Sequence, residues 1–303
     1  MSRLAICLIS APTSLGLRPP RPGVIPACNK APKVLRNAGL FDRLAKLGAS
    51  DIGAIEPEGY SENVIPRTIR NQEQITRFSK SLSDRILSVV RDGNAPLVVG
   101  GDCSALVGAG MALKKAGHYG LVHIDGHTDF RHPGNSTEVA SLAGEDLAAV
   151  IGLHWGQISN IDGLGPYFEP KNAAHAGCRD DDEFLSEVRQ VIGLVMPASE
   201  IKRRGMRETV SDILAFMKKA DVDGYWLHLD VDVLDPSVMP AVDSPSPGGL
   251  NSNELTNLLK LLSPSAVGAD VTIFDPGLDS SGIYAKLIAN MVYEGLQSLG
   301  SRD

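Results

Sequence analysis

The feature that most restricts this chain is a regular alternation of short Val-, Ile- and Leu-rich runs with longer stretches of helical period. Strands buried on both faces read as continuous apolar runs, and parallel pairing needs a long connection, usually a helix, between them. The pattern predicts strands near 3–9, 50–55, 95–100, 119–125, 173–178, 193–197, 223–230 and 265–273. It predicts helices near 32–47, 71–92, 103–116, 142–152, 182–190, 205–220, 252–262 and 280–299. The expected fold class is α/β, a mainly parallel sheet of about eight strands covered by helices on both faces. Ser252-Asn253-Glu254 reads as a helix N-terminal cap, and Gly117 and Gly300 as stops.

No repeat or low-complexity linker divides the sequence, so residues 1–303 are expected to form a single domain. The Pro- and Gly-rich stretches 15–26, 131–137, 155–170 and 236–249 then become long loops, and loops at strand ends carry function in α/β sheets. A formal charge of −7 argues against a nucleic-acid or anionic-lipid partner, and Lys202-Arg203-Arg204 reads as a solvated helix start. No apolar stretch is long enough for a bilayer, and Met1-Ser2-Arg3 leads into a strand without a cleavage site. A cytoplasmic protein with no membrane partner is expected. Four scattered cysteines, Cys7, Cys28, Cys103 and Cys178, fit reduced thiols rather than a disulfide framework.

The chemistry concentrates at three strand ends. His123-Ile124-Asp125-Gly126-His127-Thr128-Asp129 and His228-Leu229-Asp230-Val231-Asp232 set four carboxylates and an imidazole at every-second-residue spacing after apolar runs. Residues i and i+2 of a strand share a face, so this spacing is expected to aim Asp125, His127 and Asp129, and likewise Asp230 and Asp232, at one point. So many carboxylates at one place repel each other unless cations intervene, which points to a two-metal site. Gly100-Gly101-Asp102-Cys103-Ser104 closes the run Leu97-Val98-Val99. Alone it reads as a tight turn, but in a doubly wound sheet it converges on the same crevice.

Read together, these blocks resemble the arginase/agmatinase (ureohydrolase) family, whose signatures run Gly-Gly-Asp-His-Ser, Asp-Ala-His-x-Asp and Ser-x-Asp-x-Asp-x-x-Asp-Pro. The third stands here as His228 through Asp235-Pro236. Gly23-Val24 through Ala31-Pro32-Lys33-Val34-Leu35-Arg36 and Pro247-Gly248-Gly249-Leu250 are similar to that family's opening segment and later turn. The resemblance implies a three-layer α/β/α fold, two bridged Mn²⁺ ions that activate a hydroxide against a guanidinium or amidine carbon, and a homo-oligomer, trimeric or hexameric. Carried over by position, Asp125 and Asp230 would bridge the ions, Asp129 would hold the first and act in catalysis, and His127 and Asp232 would hold the second.

The chain departs from that pattern at several places. Cys103 stands where the family has a histidine on the first ion; a thiolate would shift the site toward Zn²⁺, Fe²⁺ or Co²⁺, and the alternative is a small buried residue that ligates nothing. Ala143 replaces the proton-shuttling histidine, which leaves His132, His154 and Glu145 as candidates for that role beside their readings as surface or core polar groups. Ile273 replaces the glutamate that grips the guanidinium. Asp182 falls where an aspartate receives a substrate ammonium, or is one of a helix-starting acidic cluster. Arg131 suits an anionic substrate, and Ser244 stands near a family threonine beside the substrate. The expected function is metal-dependent hydrolysis of a linear C–N bond in a guanidino, amidino or formimino compound other than plain arginine. The alternative is a catalytically silent, ligand-binding relative with an altered metal site.

Overall fold

The computed structural model describes residues 5–301. Eight parallel strands form one sheet: β1 (Ile6–Ala11), β2 (Ser50–Ala54), β3 (Ala95–Gly100), β4 (Gly120–Ile124), β5 (Ala173–Ala176), β6 (Leu194–Met196), β7 (Tyr225–Asp230) and β8 (Ala266–Thr272). Their order is β2-β1-β3-β8-β7-β4-β5-β6. All eight expected strands are present; positions 3 and 4 of the first lie outside the described residues.

The helices are α1 (Ala31–Asn37), α2 (Leu40–Ala45), α3 (Gln72–Arg91), α4 (Ala105–Ala116), α5 (Asp146–Val150), α6 (Gly156–Ser159), α7 (Leu185–Val191), α8 (Ala198–Arg204), α9 (Met206–Lys219), α10 (Ser252–Leu262) and α11 (Ile283–Leu296). Strand side chains alternate between two cores. Leu97, Val99, Val122, Ile124, Leu227 and Leu229 pack with α1, α2 and α8 to α11, whereas Val98, Leu121 and Trp226 pack with α3, α4, α5 and α7. This alternation gives the expected three layers.

Differences from the sequence reading are local. The helix expected over 32–47 breaks at Gly39, whose φ of 90° an L side chain rarely adopts. The segment 142–152 divides into a short 3₁₀ turn (Leu142–Gly144) and α5. Helix α8 was not expected, because Lys202-Arg203-Arg204 is its last turn rather than the start of the next helix. Cations suit a helix C-terminus, and Arg204 also reaches Glu208 and Asp212 of α9, at 2.7 and 2.6 Å. The cap of α10 is Asn251, one residue earlier than read, reciprocated by Glu254.

For the site, the decisive relation is that β3, β8, β7 and β4 are adjacent at the middle of the sheet. Register places His123 beside His228 and Ile124 beside Leu229, so the turns that follow β4 and β7 emerge side by side.

Candidate metal centre

The ligand-type residues lie in turns beyond the strands. Strand β4 stops at Ile124 and β7 at Asp230, and Val231–Val233 is a single 3₁₀ turn, so strand alternation is not what aligns Asp125, His127, Asp129 and Asp232. The two turns are instead built alike: Asp125 Oδ1 accepts from the His127 amide and Asp230 Oδ1 from the Asp232 amide, each at 2.7 Å. Short side-chain-to-backbone bonds of this kind curl the chain after an aspartate. The turns are also joined, since the Gly126 amide donates to Asp232 Oδ1 at 3.0 Å. A Cβ on Gly126 would stand 2.6 Å from the Asp232 carbonyl, so only glycine permits this approach. Buried Arg179 fastens the floor by donating to the carbonyls of Asp232, Leu234 and Ser246.

The third strand end is fitted as closely. A Cβ on Gly101 would fall 1.7 Å from the Thr13 carbonyl oxygen. Asp102 accepts from Thr13 Oγ1 and the Gly16 and Ser104 amides, which makes it a fastener of this turn. Next to it, fully buried Cys103 directs Sγ to Asp230 Oδ2 at 3.1 Å and to Thr272 Oγ1 at 3.0 Å.

His127 Nδ1 lies 2.9 Å from Asp232 Oδ2. Burial would lower the imidazole's pKa, but the bond and charge of Asp232 outweigh it and raise it; burial alone would raise Asp232, and His127 together with neighbouring donors brings it down. Asp125, Asp129 and Asp230 are all held well above the carboxylate range by burial and then by neighbouring aspartates, and burial followed by the same carboxylates pushes the Cys103 thiol up. Asp125 Oδ2 is buried without a hydrogen-bond partner. Ligand atoms of Asp125, His127 and Asp129, and separately of Cys103, Asp125 and Asp230, lie within 4.8 Å of one another. An orphaned carboxylate oxygen among mutually repelling aspartates is a site that a dication completes, so these residues fit a divalent metal pair, with a softer donor at Cys103.

Sequence reasoning missed a polar cluster directly behind these groups. His123 and His228, two residues before Asp125 and Asp230 on the same face of their strands, stack with ring centroids 4.7 Å apart. His123 Nδ1 is 2.9 Å from His175 Nδ1, and His123 Nε2 is 3.3 Å from Asp146 Oδ1. His228 Nδ1 faces Asp270 Oδ1 at 3.0 Å, and Asp270 also accepts from Trp226 Nε1. All are buried. Burial lowers the pKa of His123 and His175, while Asp270 and Asp146 overcome burial to raise that of His228. The signal for this cluster was His228 itself, which stands where the third signature block has serine.

A cavity of about 410 Å³ opens over the turns, lined by His127, Asp129, Asp230 and Asp232 and by the expected substrate-side residues Arg131, Asp182, Ser244 and Ile273. Ala143 lines it as well. Arg131 approaches Glu183 at 3.7 Å, and Ser244 Oγ donates to Asp243 Oδ2 at 3.3 Å. Asp182 accepts from the Thr128 amide at 2.9 Å, Thr128 Oγ1 at 2.6 Å and the Phe184 amide at 2.9 Å, which ties α7's leading loop to the Asp125–Asp129 turn. Ile273 has a φ of 71°, rare for a β-branched residue, with its amide held by the Gly101 carbonyl.

The three residues considered for the missing proton shuttle do not line this cavity. Glu145 Oε1 accepts from the Ala140 and Ser141 amides, and its Oε2 meets His154 Nε2 at 3.0 Å. This buried pair pins the loop before α5. His132 contacts Glu187 Oε1 at 3.3 Å and accepts from the Gly134 amide, which shapes the 132–135 turn.

Known proteins share this fold. Residues 5–297 match the model of the arginase family. A curated relative, the arginase of Bacillus caldovelox, is 30% identical over 285 residues, covering 90% of this chain and 92% of that one. The solved native structure of Bacillus caldovelox arginase superposes with a TM-score of 0.86 at 26% identity, covering 99% of both chains. The proclavaminate amidino hydrolase of Streptomyces clavuligerus superposes with a TM-score of 0.72 at 25% identity, over 99% of this chain and 92% of that one. With sequence and fold agreeing along nearly its whole length, the chain belongs to the arginase family, hydrolases that act on C–N bonds of linear amidines.

Proposed function

We propose that this protein hydrolyses a C–N bond in a guanidino, amidino or formimino compound that carries a negative charge and is not plain arginine. The observation that carries the reading is the convergence of Asp129, Asp230, Asp232 and His127 on one cavity, with Asp125 adjoining them and its Oδ2 unpartnered. Asp125, Asp129, Asp230, Asp232 and His127 would hold the divalent ions, with the Cys103 thiol beside them. When bound, such a pair supplies Lewis acidity and lowers the pKa of a water to make a nucleophile near neutral pH. Manganese suits the carboxylates, whereas the thiol extends the choice to zinc, iron(II) or cobalt.

The chain's own residues set the selectivity. Arg131 offers a guanidinium to an anionic group of the substrate from the cavity wall. Ile273 and Ala143 make two wall positions apolar, so a guanidinium resting on them finds its charge partners only among carboxylates elsewhere in the lining, such as Asp181, Glu183 and Asp243. Asp182 is engaged by three donors of the protein and holds Asp129's turn in place. Ala143 and Ile273 also favour the second reading, a silent relative that binds a ligand in the same cavity. A homo-oligomer is part of the proposal by family resemblance and a cytoplasmic location by the sequence reading, and no helix among the described residues is long and apolar enough to cross a membrane.

The test is metal analysis of protein purified without chelator, paired with assays for urea, ammonia and formamide over a panel of guanidino, amidino and formimino acids. Bound metal with release from an anionic substrate is the expected result. Metal with no turnover of any compound overturns hydrolysis in favour of the silent reading, and absence of metal overturns the centre itself.

A further inference from the structure

Three side chains that converge behind the carboxylate turns, Cys103, Asp146 and His228, come from the turn between β3 and α4, the first residue of α5 and the interior of β7. Their ligand atoms lie within 4.8 Å of one another, and all three residues are fully buried. Two of the three atoms are orphans: His228 Nε2 and Asp146 Oδ2 have no hydrogen-bond partner. Buried polar atoms almost always have partners, so two that face one another mark something missing between them. They stand 3.6 Å apart, too far for a hydrogen bond. That spacing is close to the roughly 3.3–3.5 Å between neighbouring donors of a tetrahedral zinc, as follows from ligand bonds of about 2.0–2.3 Å.

The far side of His228 has the matching feature. Its Nδ1 faces both oxygens of Asp270, at 3.0 and 3.1 Å, and Asp270 is itself oriented by Trp226 Nε1. A carboxylate behind Nδ1 fixes the tautomer with the proton there, leaves the Nε2 lone pair pointing outward and makes it more basic, the arrangement that backs metal-bound histidines. A proton on Nε2 would face Asp146 Oδ2 at 3.6 Å, beyond hydrogen-bond reach, so protonation alone satisfies neither atom.

We propose that Cys103 Sγ, His228 Nε2 and Asp146 Oδ2 form an inner site for one zinc-class dication, distinct from the outer group of Asp125, His127, Asp129, Asp230 and Asp232. Thiolate, imidazole and carboxylate together select a borderline cation, zinc, cobalt or iron(II), over manganese. On binding, Cys103 gives up its thiol proton to solvent and turns Sγ from Asp230 toward the inner ion. The inner site accounts jointly for a cysteine and a histidine that both depart from the family blocks, one in the turn after β3 and one on β7.

The donor types separate this site from the alternatives. The outer group that includes Cys103 contains no imidazole, the group of His123, Asp125 and His228 contains no sulfur, and His127 is the imidazole of the outer group beyond them. The full chain carrying His127→Asn, stripped with chelator and given one equivalent of Zn²⁺, is therefore examined by zinc-edge X-ray absorption. The expected spectrum has one sulfur at about 2.3 Å and an imidazole shell on the same ion. Adding His228→Asn should remove the imidazole shell and weaken zinc binding at least about tenfold, the scale seen when the support of a metal ligand is lost. Sulfur without imidazole overturns the proposal and puts the ion between Cys103, Asp125 and Asp230. Imidazole without sulfur, or no zinc bound, overturns it as well. If the double variant does not fold, the single-variant spectrum still decides. None of these readings depends on turnover, so the inner site and the hydrolase reading stand or fall separately.

Discussion

The thiol of fully buried Cys103 lies 3.1 Å from Oδ2 of Asp230, a carboxylate that lines the cavity. Thr272 Oγ1, 3.0 Å away, donates to the Leu229 carbonyl, so toward Cys103 it can only accept, and the single thiol proton has Asp230 and Thr272 as its acceptors. In the metal-free protein this one donor offsets part of the charge of a carboxylate that has few others.

Replacing Cys103 by serine keeps the size and the hydrogen bond while removing the soft donor. Zinc affinity should fall roughly tenfold or more, and manganese affinity should change little. Isothermal titration with each ion gives the answer, and equal losses for both would show that the sulfur does not select the metal.

Gly126→Ala should damage the centre although the family block has alanine at that position. The added Cβ would meet the Asp232 carbonyl at 2.6 Å and Arg179 at 2.8 Å, so the two turns must separate. A cost of about 1–3 kcal/mol is expected, with weakened metal binding. Denaturant unfolding reads the first and competition with a chelator the second; a variant unchanged in both refutes the close approach.

Asp182→Ala removes the acceptor of three donors, two of them on Thr128. About 1–3 kcal/mol of stability should go, because the Thr128 and Phe184 groups lose their partner. Metal affinity should drop with it, since Asp129 follows Thr128 directly. Had Asp182 served only to bind a substrate ammonium, KM would rise with stability and metal binding intact.

Chelated protein should lose stability with rising pH. Asp125, Asp129, Asp146 and Asp230 have folded values raised by burial, Asp146 to about 7, so between the ordinary carboxylate value and the raised one the folded state holds protons that the unfolded state has released. Stability from such groups is complete below the unfolded value and is lost as pH passes the folded one. His123 and His175, lowered by burial, act in the opposite sense only as pH falls below the ordinary histidine value. Melting should therefore come at a lower temperature at about pH 8.5 than at about pH 6.5, and saturating metal should abolish the difference. A flat chelated profile over that interval would contradict the raised values.

Strand positions and layer count were legible from the apolar runs along the whole chain, because a run buried on both faces announces itself by composition, and the family was legible mainly from the blocks at 100–104, 125–129 and 228–236. The pairing of Asp125 with Asp230 was legible too, although for a reason that fails in detail: both side chains are aimed by turns beyond the strands. Helix α8 was hidden because its basic last turn looks like the beginning of the helix that follows. Glu145 and His154 looked available for proton transfer, yet they satisfy each other and two amides out of reach of the cavity.

What the sequence determined by itself is the set of donors and their order along the chain, since hydrophobic period dictates which residues end strands. What only tertiary structure decided is which donors meet. Asp146 is 43 residues from Cys103 and 82 from His228 along the chain, and no local pattern connects them. The adjacency of β3, β8, β7 and β4 and the packing of α5 against them bring the three together, because register between parallel strands is set across the sheet and not within any one segment of it.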